Sequence, residues 1–144
     1  PIGSAFKLWV LAAVVDAVGA GTLTWDAEVT IEDRFDSLPS GITQDDPAGS
    51  AQTVRTLAER MIAISDNTAT DLLIDAVGRD AVEAALVTAG HAAPELNRPF
   101  LTPRELFVLK LDDALRSDYL IAAETGRREL LAGWPERHRN FHIT

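Results

Sequence analysis

The 144-residue chain has no cysteine, which excludes disulfide bonds and thiolate chemistry and leaves its redox compartment undetermined. Positive charge is also scarce. Thirteen lysines and arginines face twenty-two aspartates and glutamates, for a formal net charge of −9, and the basic residues form no long cluster. This charge pattern argues against nucleic acid as a partner. The apolar run LWVLAAVV is far too short to span a bilayer.

The residues that are present are sufficient for one domain with a sizeable core, since 47% of them are hydrophobic and 24% are charged. The chain starts at Pro1, without a methionine or a signal peptide, and its first helix is expected within three residues. We expect a single helical domain over residues 1–144 that is a truncated or cleaved piece of a longer chain.

The spacing of the apolar residues predicts six or seven helices and almost no strand. The first helix is expected from about Ser4 to Gly19. Since only Lys7 and Asp16 interrupt its apolar character, most of it should be buried. The later helices are expected at 53–64, 68–77, 79–90 and 102–117, with shorter ones near 118–124 and 127–134. AEVTI, at 27–31, is the strand-like stretch.

Ser4 and Lys7 form an S-x-x-K pair, so on a helix they lie on one face, one turn apart. A lysine among apolar residues is costly unless its charge is used or paired. If burial lowers its pKa, its amine can accept the hydroxyl proton of Ser4 and make that serine a nucleophile. Taken alone, the pair also fits a helix-capping serine followed by a lysine that snorkels to solvent.

Ser65, Asp66 and Asn67 interrupt two apolar helices, and this S-D-N triplet begins sixty-one residues after Ser4. The same residue types are preferred at ordinary helix starts, so the triplet alone also fits a helix–helix turn. The functional interpretation gives Ser65 a hydroxyl that carries a proton and Asn67 an amide that binds substrate. Asp66 then has a mainly structural role.

Together, S-x-x-K and S-D-N at this separation resemble the signature of the serine β-lactamases and penicillin-binding proteins. MIAISDNTATDLLI is similar to a helix pair of the class A enzymes, APELN to the start of their omega loop, and LTPREL to the helix entry after it. The resemblance runs from Pro1 to about Leu131 and implies a mainly α fold. This is the helical half of the β-lactamase/transpeptidase-like α/β fold, without the antiparallel sheet that forms the other wall of the cleft. The K-T-G-type triplet carried by that sheet is absent from the sequence.

The resemblance also implies roles for individual residues. Ser4 would be the acylated nucleophile, Lys7 its general base, and Ser65 the group that passes a proton toward the leaving group. The substrate would be a β-lactam or a peptidoglycan-like small molecule, and neither a metal nor an organic cofactor would be required. Relatives act on the cell wall or its antibiotics, so export of the parent protein is implied by resemblance only.

Four further residues take expected roles from the same resemblance. Asn67 and Asn97 would bind substrate, whereas Asp66 and Glu95 would be structural. The apolar surface that would meet the missing sheet is expected to self-associate, because a patch of that size is seldom left to water.

The chain departs from the class A pattern at Ala93, where those enzymes place their deacylating glutamate two residues before the position of Glu95. The link from the S-D-N triplet to this loop also looks shorter than usual, which leaves open a slipped alignment that moves Glu95. Without that base an acyl-enzyme would persist, as in penicillin-binding proteins. A D-alanyl-D-alanine peptidase, an esterase and a non-catalytic binding domain therefore remain alternatives, and we expect the fragment alone to be inactive.

Three histidines are weaker candidates. His138 and His142 are four residues apart and could share a metal ion, but no third ligand is evident, so exposed side chains are favoured. His91 lies in the loop beside Ala93 and could face the cleft, but an exposed loop residue is favoured. The adjacent acidic pairs, 45–46 and 112–113, are expected to be solvated.

Overall fold

Seven α-helices and one two-stranded sheet make up the computed structural model, which describes residues 3–137 and the side chains of residues 3–133. His138 and His142, the weak metal candidates, lie outside the described residues. The helices are α1 (Lys7–Gly19), α2 (Val54–Ala63), α3 (Asn67–Val77), α4 (Arg79–Thr88), α5 (Pro103–Leu111), α6 (Asp113–Ile121) and α7 (Glu124–Arg137). The antiparallel strands are β1 (Glu28–Thr30) and β2 (Ala51–Thr53). The predicted mainly α fold is confirmed.

The start of α1 is tighter than an α-helix. Residues Gly3–Phe6 form a single 3-10 turn that leads directly into α1, so Ser4 lies in the turn and Lys7 opens the helix. The expectation that most of α1 is buried is wrong, because Leu8 is 58% exposed and Val15 is 49% exposed. One face alone is buried, since α1 packs against α2, α3 and α4 on one side and leaves the other side open.

The main core lies where the first four helices pack together. Its fully buried large side chains come from every one of them, and they include Val10, Val14, Leu57, Met61, Leu72, Leu73, Val82 and Leu86. A second, smaller cluster joins α5, α6 and α7 through Val108, Leu109, Leu115, Tyr119 and Leu131. The core that surrounds the beginning of α1 is therefore built from residues far apart in sequence. Within the described residues, no helix is long and apolar enough to cross a membrane.

The 102–117 segment is two helices, not the one that its periodicity predicts. Thr102 begins α5 with the capping box that its sequence indicates: its hydroxyl accepts the Glu105 N–H, and its own N–H donates to the Glu105 carboxylate. The chain breaks at Asp112, whose carboxylate caps α6 by accepting the Leu115 N–H over 2.9 Å. Asp112 is therefore structural, and the expectation that it is merely solvated is wrong.

Asp46, of the other acidic pair, is also structural. Its carboxylate receives the Arg60 guanidinium over 2.5 Å, and both side chains are partly buried. Arg60 also donates to the Thr43 hydroxyl, so the pair fixes the loop before β2 to helix α2. Its neighbour Asp45 is exposed, as expected.

An ion pair and hydrogen bonds to Phe100 hold the loop before α5 against α4. Arg79, at the start of α4, forms a two-pronged pair with Glu105 and also donates to the Phe100 carbonyl. Glu83, one turn further along, accepts the Phe100 N–H over 2.9 Å and the Arg128 guanidinium over 2.6 Å. Because Glu83 and Glu105 are buried and charge-paired, they fix the end of this loop relative to the core.

Candidate active site

The beginning of α1 and the turn between α2 and α3 meet at one place. Lys7 is 2% exposed, and its Nζ donates to the Ser65 carbonyl over 2.5 Å, the Ser65 Oγ over 2.9 Å and the Asn67 Oδ1 over 2.8 Å. The Ser65 Oγ in turn donates to the Ser4 Oγ over 2.8 Å. The structure thus brings Ser4, Lys7, Ser65 and Asn67 into one continuous chain of hydrogen bonds.

Burial changes the chemistry of Lys7. It lowers the pKa of the amine from 10.5 to about 8, against the opposing attraction of Asp66 and Asp71. A lysine that snorkels to solvent would keep its ordinary pKa, so that interpretation does not fit this geometry. With a pKa near 8, a useful fraction of Lys7 is neutral near physiological pH, as a general base requires.

Ser65 adopts a left-handed backbone conformation, with φ at +58°, which is uncommon for a residue other than glycine. In this conformation both its carbonyl oxygen and its hydroxyl lie within hydrogen-bonding distance of the Lys7 amine. Such conformations cost on the order of 1–3 kcal/mol and persist only where the surroundings enforce them. The strained backbone of Ser65 is therefore the conformation in which Lys7 contacts both its carbonyl and its hydroxyl.

Asp66 anchors the S-D-N turn through hydrogen bonds to the loop at 42–43 and to the start of α3. It is fully buried, and its Oδ1 caps α3 by accepting the Ala69 N–H over 2.8 Å. Its Oδ2 accepts the Ile42 N–H, the Thr43 N–H and the Thr43 hydroxyl, all between 2.8 and 2.9 Å. The backbone N–H of Asn67 donates to the Ser40 carbonyl over 2.8 Å. The loop at 40–43 thus holds the turn that carries the site residues.

Asn67 is buried, and its amide is oriented by the lysine. Because the Oδ1 accepts from Lys7, the other end of the amide, its NH₂ group, is left as a donor. A donor fixed in this way suits the carbonyl of a bound amide or ester better than it suits a cation.

Comparison with known proteins identifies the family of this chain. A model of the Beta-lactamase enzyme family matches residues 1–128. The chain belongs to this family. A β-lactamase from Amycolatopsis lactamdurans is 32% identical over an alignment that covers 92% of this chain and 51% of the relative. The chain therefore spans about half the length of the curated relative that it matches.

Solved structures agree with that assignment. PBP-A is 25% identical, with a TM-score of 0.60, and the match covers 89% of this β-lactamase-family chain and 51% of PBP-A. An ancestral class A β-lactamase is 29% identical, with a TM-score of 0.57, and the match covers 90% of this chain and 54% of that structure. A mutant of PBP-A has been solved as an acyl-enzyme complex with penicillin G. The helical architecture of this chain matches a helical half of the β-lactamase fold.

The omega-like loop of this β-lactamase-family chain, among the described residues, shares no hydrogen bond with Ser4, Lys7 or Ser65. Residues Pro94–Asn97 form a 3-10 turn, in which the Asn97 amide lies 3.5 Å from the Ala93 carbonyl and Glu95 is exposed. Among the described residues, neither Asn97 nor Glu95 hydrogen-bonds to Ser4, Lys7 or Ser65. The roles predicted for Asn97 and Glu95 therefore stay predictions.

His91 is not the exposed loop residue that we expected. It is half-buried, and its ring packs edge-on against Trp9 of α1, with the ring centroids 5.5 Å apart. Its Nδ1 accepts the Ala93 N–H over 3.1 Å. His91 thus braces the loop against α1. Within the described part of the chain, no three histidines or carboxylates are grouped as a metal site would require.

Sequence reasoning missed Asp71, which is buried in α3 one turn beyond Asn67. The signal was available, since Asp71 follows Asn67 by four residues and so shares its helix face. An aspartate directly before the apolar residues LLI is as unusual as Lys7 is in α1.

Proposed function

We propose that this chain carries the acylation site of a serine hydrolase that attacks β-lactams or related amides and esters, with Ser4 as the nucleophile. The observation that carries the proposal is the Ser4–Ser65–Lys7 chain of hydrogen bonds around a buried lysine. Family membership and the penicillin acyl-enzyme of a PBP-A mutant support it. In this proposal Asn67 offers its amide N–H to a substrate carbonyl.

The geometry supports a two-step proton relay, because Ser65 lies between Ser4 and Lys7 and is hydrogen-bonded to both. In the relay the two hydroxyl hydrogens turn toward the neutral Lys7, opposite to the donor directions seen with a donating amine. A neutral Lys7 has two N–H bonds, which suit its two purely accepting partners, the Ser65 carbonyl and the Asn67 Oδ1. Its lone pair then faces the Ser65 hydroxyl. As the Ser4 Oγ attacks the carbonyl carbon, Ser4 gives its proton to Ser65, and Ser65 gives its own to Lys7.

The same relay runs backwards to expel the leaving group. The carbon–nitrogen bond of the substrate breaks, its nitrogen takes the proton of Ser65, and Lys7 returns a proton to Ser65. The products are an ester on Ser4 and an N–H on the opened substrate, with Lys7 neutral again. No metal or organic cofactor enters this balance.

Ala93 favours a second candidate, a D-alanyl-D-alanine peptidase or related enzyme with a long-lived acyl-enzyme. The methyl group of Ala93 cannot activate water, and Glu95, the nearest carboxylate in sequence, is exposed in the 3-10 turn. Hydrolysis of the Ser4 ester would then be slow. A non-catalytic binding domain is the remaining alternative.

We further propose that this chain acylates poorly without residues outside it. The sequence has no K-T-G, K-S-G or H-T-G triplet to form the second wall of the cleft. A developing oxyanion needs two preorganised donors, and loss of one slows the reaction by about 10²- to 10³-fold.

The experiment is intact-mass spectrometry after incubation with a penicillin, on this chain and on a version extended to the length of its relatives. We expect a lasting adduct on Ser4 in the extended protein and none in its Ser4→Ala variant. An adduct on the shorter chain would contradict its proposed inactivity. Penicillin consumed with the protein unmodified would contradict the role given to Ala93. The absence of both adduct and consumption would rule out β-lactam acylation.

The α1–α2 face is the surface that we propose for self-association. Leu8, Leu11 and Val15 follow one stripe of α1, and Leu11 lines an apolar groove of about 430 Å³ with Trp25 and Ile62. We expect light scattering to show dimers or larger species as concentration rises. Ile62→Glu, which places a charge in the groove, should restore the monomer, whereas Leu120→Glu, at an exposed position of α6, should not. A monomer at every concentration would contradict this proposal.

A further inference from the structure

Asp71 is a buried carboxyl group that the proposed relay does not use. It is 3% exposed, its Oδ2 accepts a long hydrogen bond, 3.3 Å, from the Arg104 N–H, and the Thr102 and Ser37 side chains also act on it as hydrogen-bonding partners. Among the described residues, no lysine or arginine nitrogen lies within 4.0 Å of its carboxylate. A buried carboxylate without a cation is poorly stabilised, so this site favours the neutral acid.

The position of Asp71 relates it directly to Lys7. Asn67 and Asp71 lie one turn apart on the same face of α3. The Asn67 amide oxygen accepts a hydrogen bond from the Lys7 amine. Helices α1 and α3 pack against each other. The charge of Asp71 is among the interactions that raise the pKa of Lys7 against the effect of burial.

Charged groups face Asp71 from each neighbouring element. Lys7, whose amine responds to the charge of Asp71, lies on α1, and Glu105 and Arg104 lie at the start of α5. Asp66, the cap of α3, acts on the same Lys7 amine. The Arg104 guanidinium donates to the Asp36 carbonyl. Burial raises the pKa of Asp71 to about 8; the Thr102 hydroxyl opposes this rise, and the negative charge of Glu105 adds to it.

We propose that Asp71 is a positioning residue that sets the charge of the Lys7 amine. While Asp71 is neutral, Lys7 can give up its proton and serve as the base of the relay. Once Asp71 ionises, its negative charge holds Lys7 as an ammonium group. The charge of each group therefore shifts the pKa of the other, and the two titrate as a coupled pair. The coupling is a property of the folded chain, and only its consequence for acylation rests on the proposed function.

The two-lysine composition of the chain makes a direct test possible. In protein labelled with ¹³C-lysine, Lys110 is exposed and serves as the internal reference for Lys7. We expect Asp71→Asn, which keeps an acceptor for Arg104 but cannot ionise, to lower the Lys7 titration midpoint by about one pH unit. The Lys110 midpoint should not move. Asp75→Asn, one turn further along α3 and exposed, is the matched control and should leave both midpoints unchanged.

An equal Lys7 midpoint in wild type and Asp71→Asn would overturn the proposal. A readout that needs no variant is the carboxyl ¹³C signal of labelled aspartate in the wild-type chain. One such signal should titrate near pH 8, and titration of every aspartate below about pH 5 would overturn the proposal even if Asp71→Asn failed to fold. A shifted Lys7 midpoint without any penicillin adduct would refute the proposed function and leave the coupling in place.

Discussion

Replacing Gly41 by alanine is expected to destabilise the folded chain by about 3–5 kcal/mol. A Cβ at this position would lie 2.3 Å from the Asp66 Cγ and 2.5 and 2.6 Å from its two oxygens. Asp66 cannot move aside, because its carboxylate is fully buried and holds Ile42, Thr43 and Ala69. The backbone also has φ at +120°, which disfavours a residue with a side chain.

Gly49 is the matched control for this prediction. It also has a positive φ, +82°, but a Cβ there would have no neighbour within 4 Å. Gly49→Ala should lower the free energy of unfolding only by the cost of placing a Cβ at positive φ, about 1–2 kcal/mol. Urea denaturation followed by circular dichroism measures both losses. Equal losses of stability in the two variants would contradict the close approach to Asp66. If Gly41→Ala does not fold while Gly49→Ala does, the expected difference is present at its largest.

Replacing Lys7 by methionine is expected to slow acylation of Ser4 by about 10²- to 10⁴-fold, the usual contribution of a positioned general base. Methionine fills similar space but cannot accept the proton that Ser65 passes on in the proposed relay. The measurement is the rate of penicillin adduct formation. It is made on whichever protein forms the adduct, this chain or the version extended to the length of its relatives. Lys110→Met, at an exposed position of α5, is the control and should react like wild type. An unchanged rate in Lys7→Met would remove Lys7 from the mechanism.

The pH dependence of the same rate follows from the lowered pKa of Lys7. Below about pH 8 the amine is increasingly protonated and cannot accept a proton, so the wild-type rate should fall about tenfold for each pH unit below that value. Above it the rate should level off. The residual rate of Lys7→Met should lack this dependence, and a flat wild-type profile would contradict the assignment of Lys7 as base.

The sequence predicted those parts of the fold that depend on neighbours along the chain. Apolar spacing located the helices, and the Thr102–Glu105 capping box located the start of α5, because both follow rules that act within one or two turns. The strand-like stretch AEVTI was confirmed as β1, whereas β2 has only three residues and shows no alternation long enough to detect. The break at Asp112 was missed because the apolar spacing continues through it.

The features that the sequence did not predict depend on contacts between distant residues. Asp66 meets the loop at 42–43 across 23 to 24 positions, and Asp71 meets Arg104 across 33. In the candidate site, two separate motifs predicted that Ser4, Lys7 and Ser65 would meet. The order of their contacts, with Ser65 between Ser4 and Lys7, needed the backbone of the turn and its left-handed residue.

Because Lys7 is buried, the pKa of its amine depends on how well the surrounding hydrophobic core excludes water. Desolvation is what lowers the pKa of Lys7, so any core substitution that admits water beside α1 should return that pKa toward 10.5. A core substitution at Val10 or Leu72 that lets water reach α1 would then weaken Lys7 as the proposed base without altering any residue of the proposed relay. In a fold of this kind, selection for heat resistance and selection for reactivity act on the same side chains.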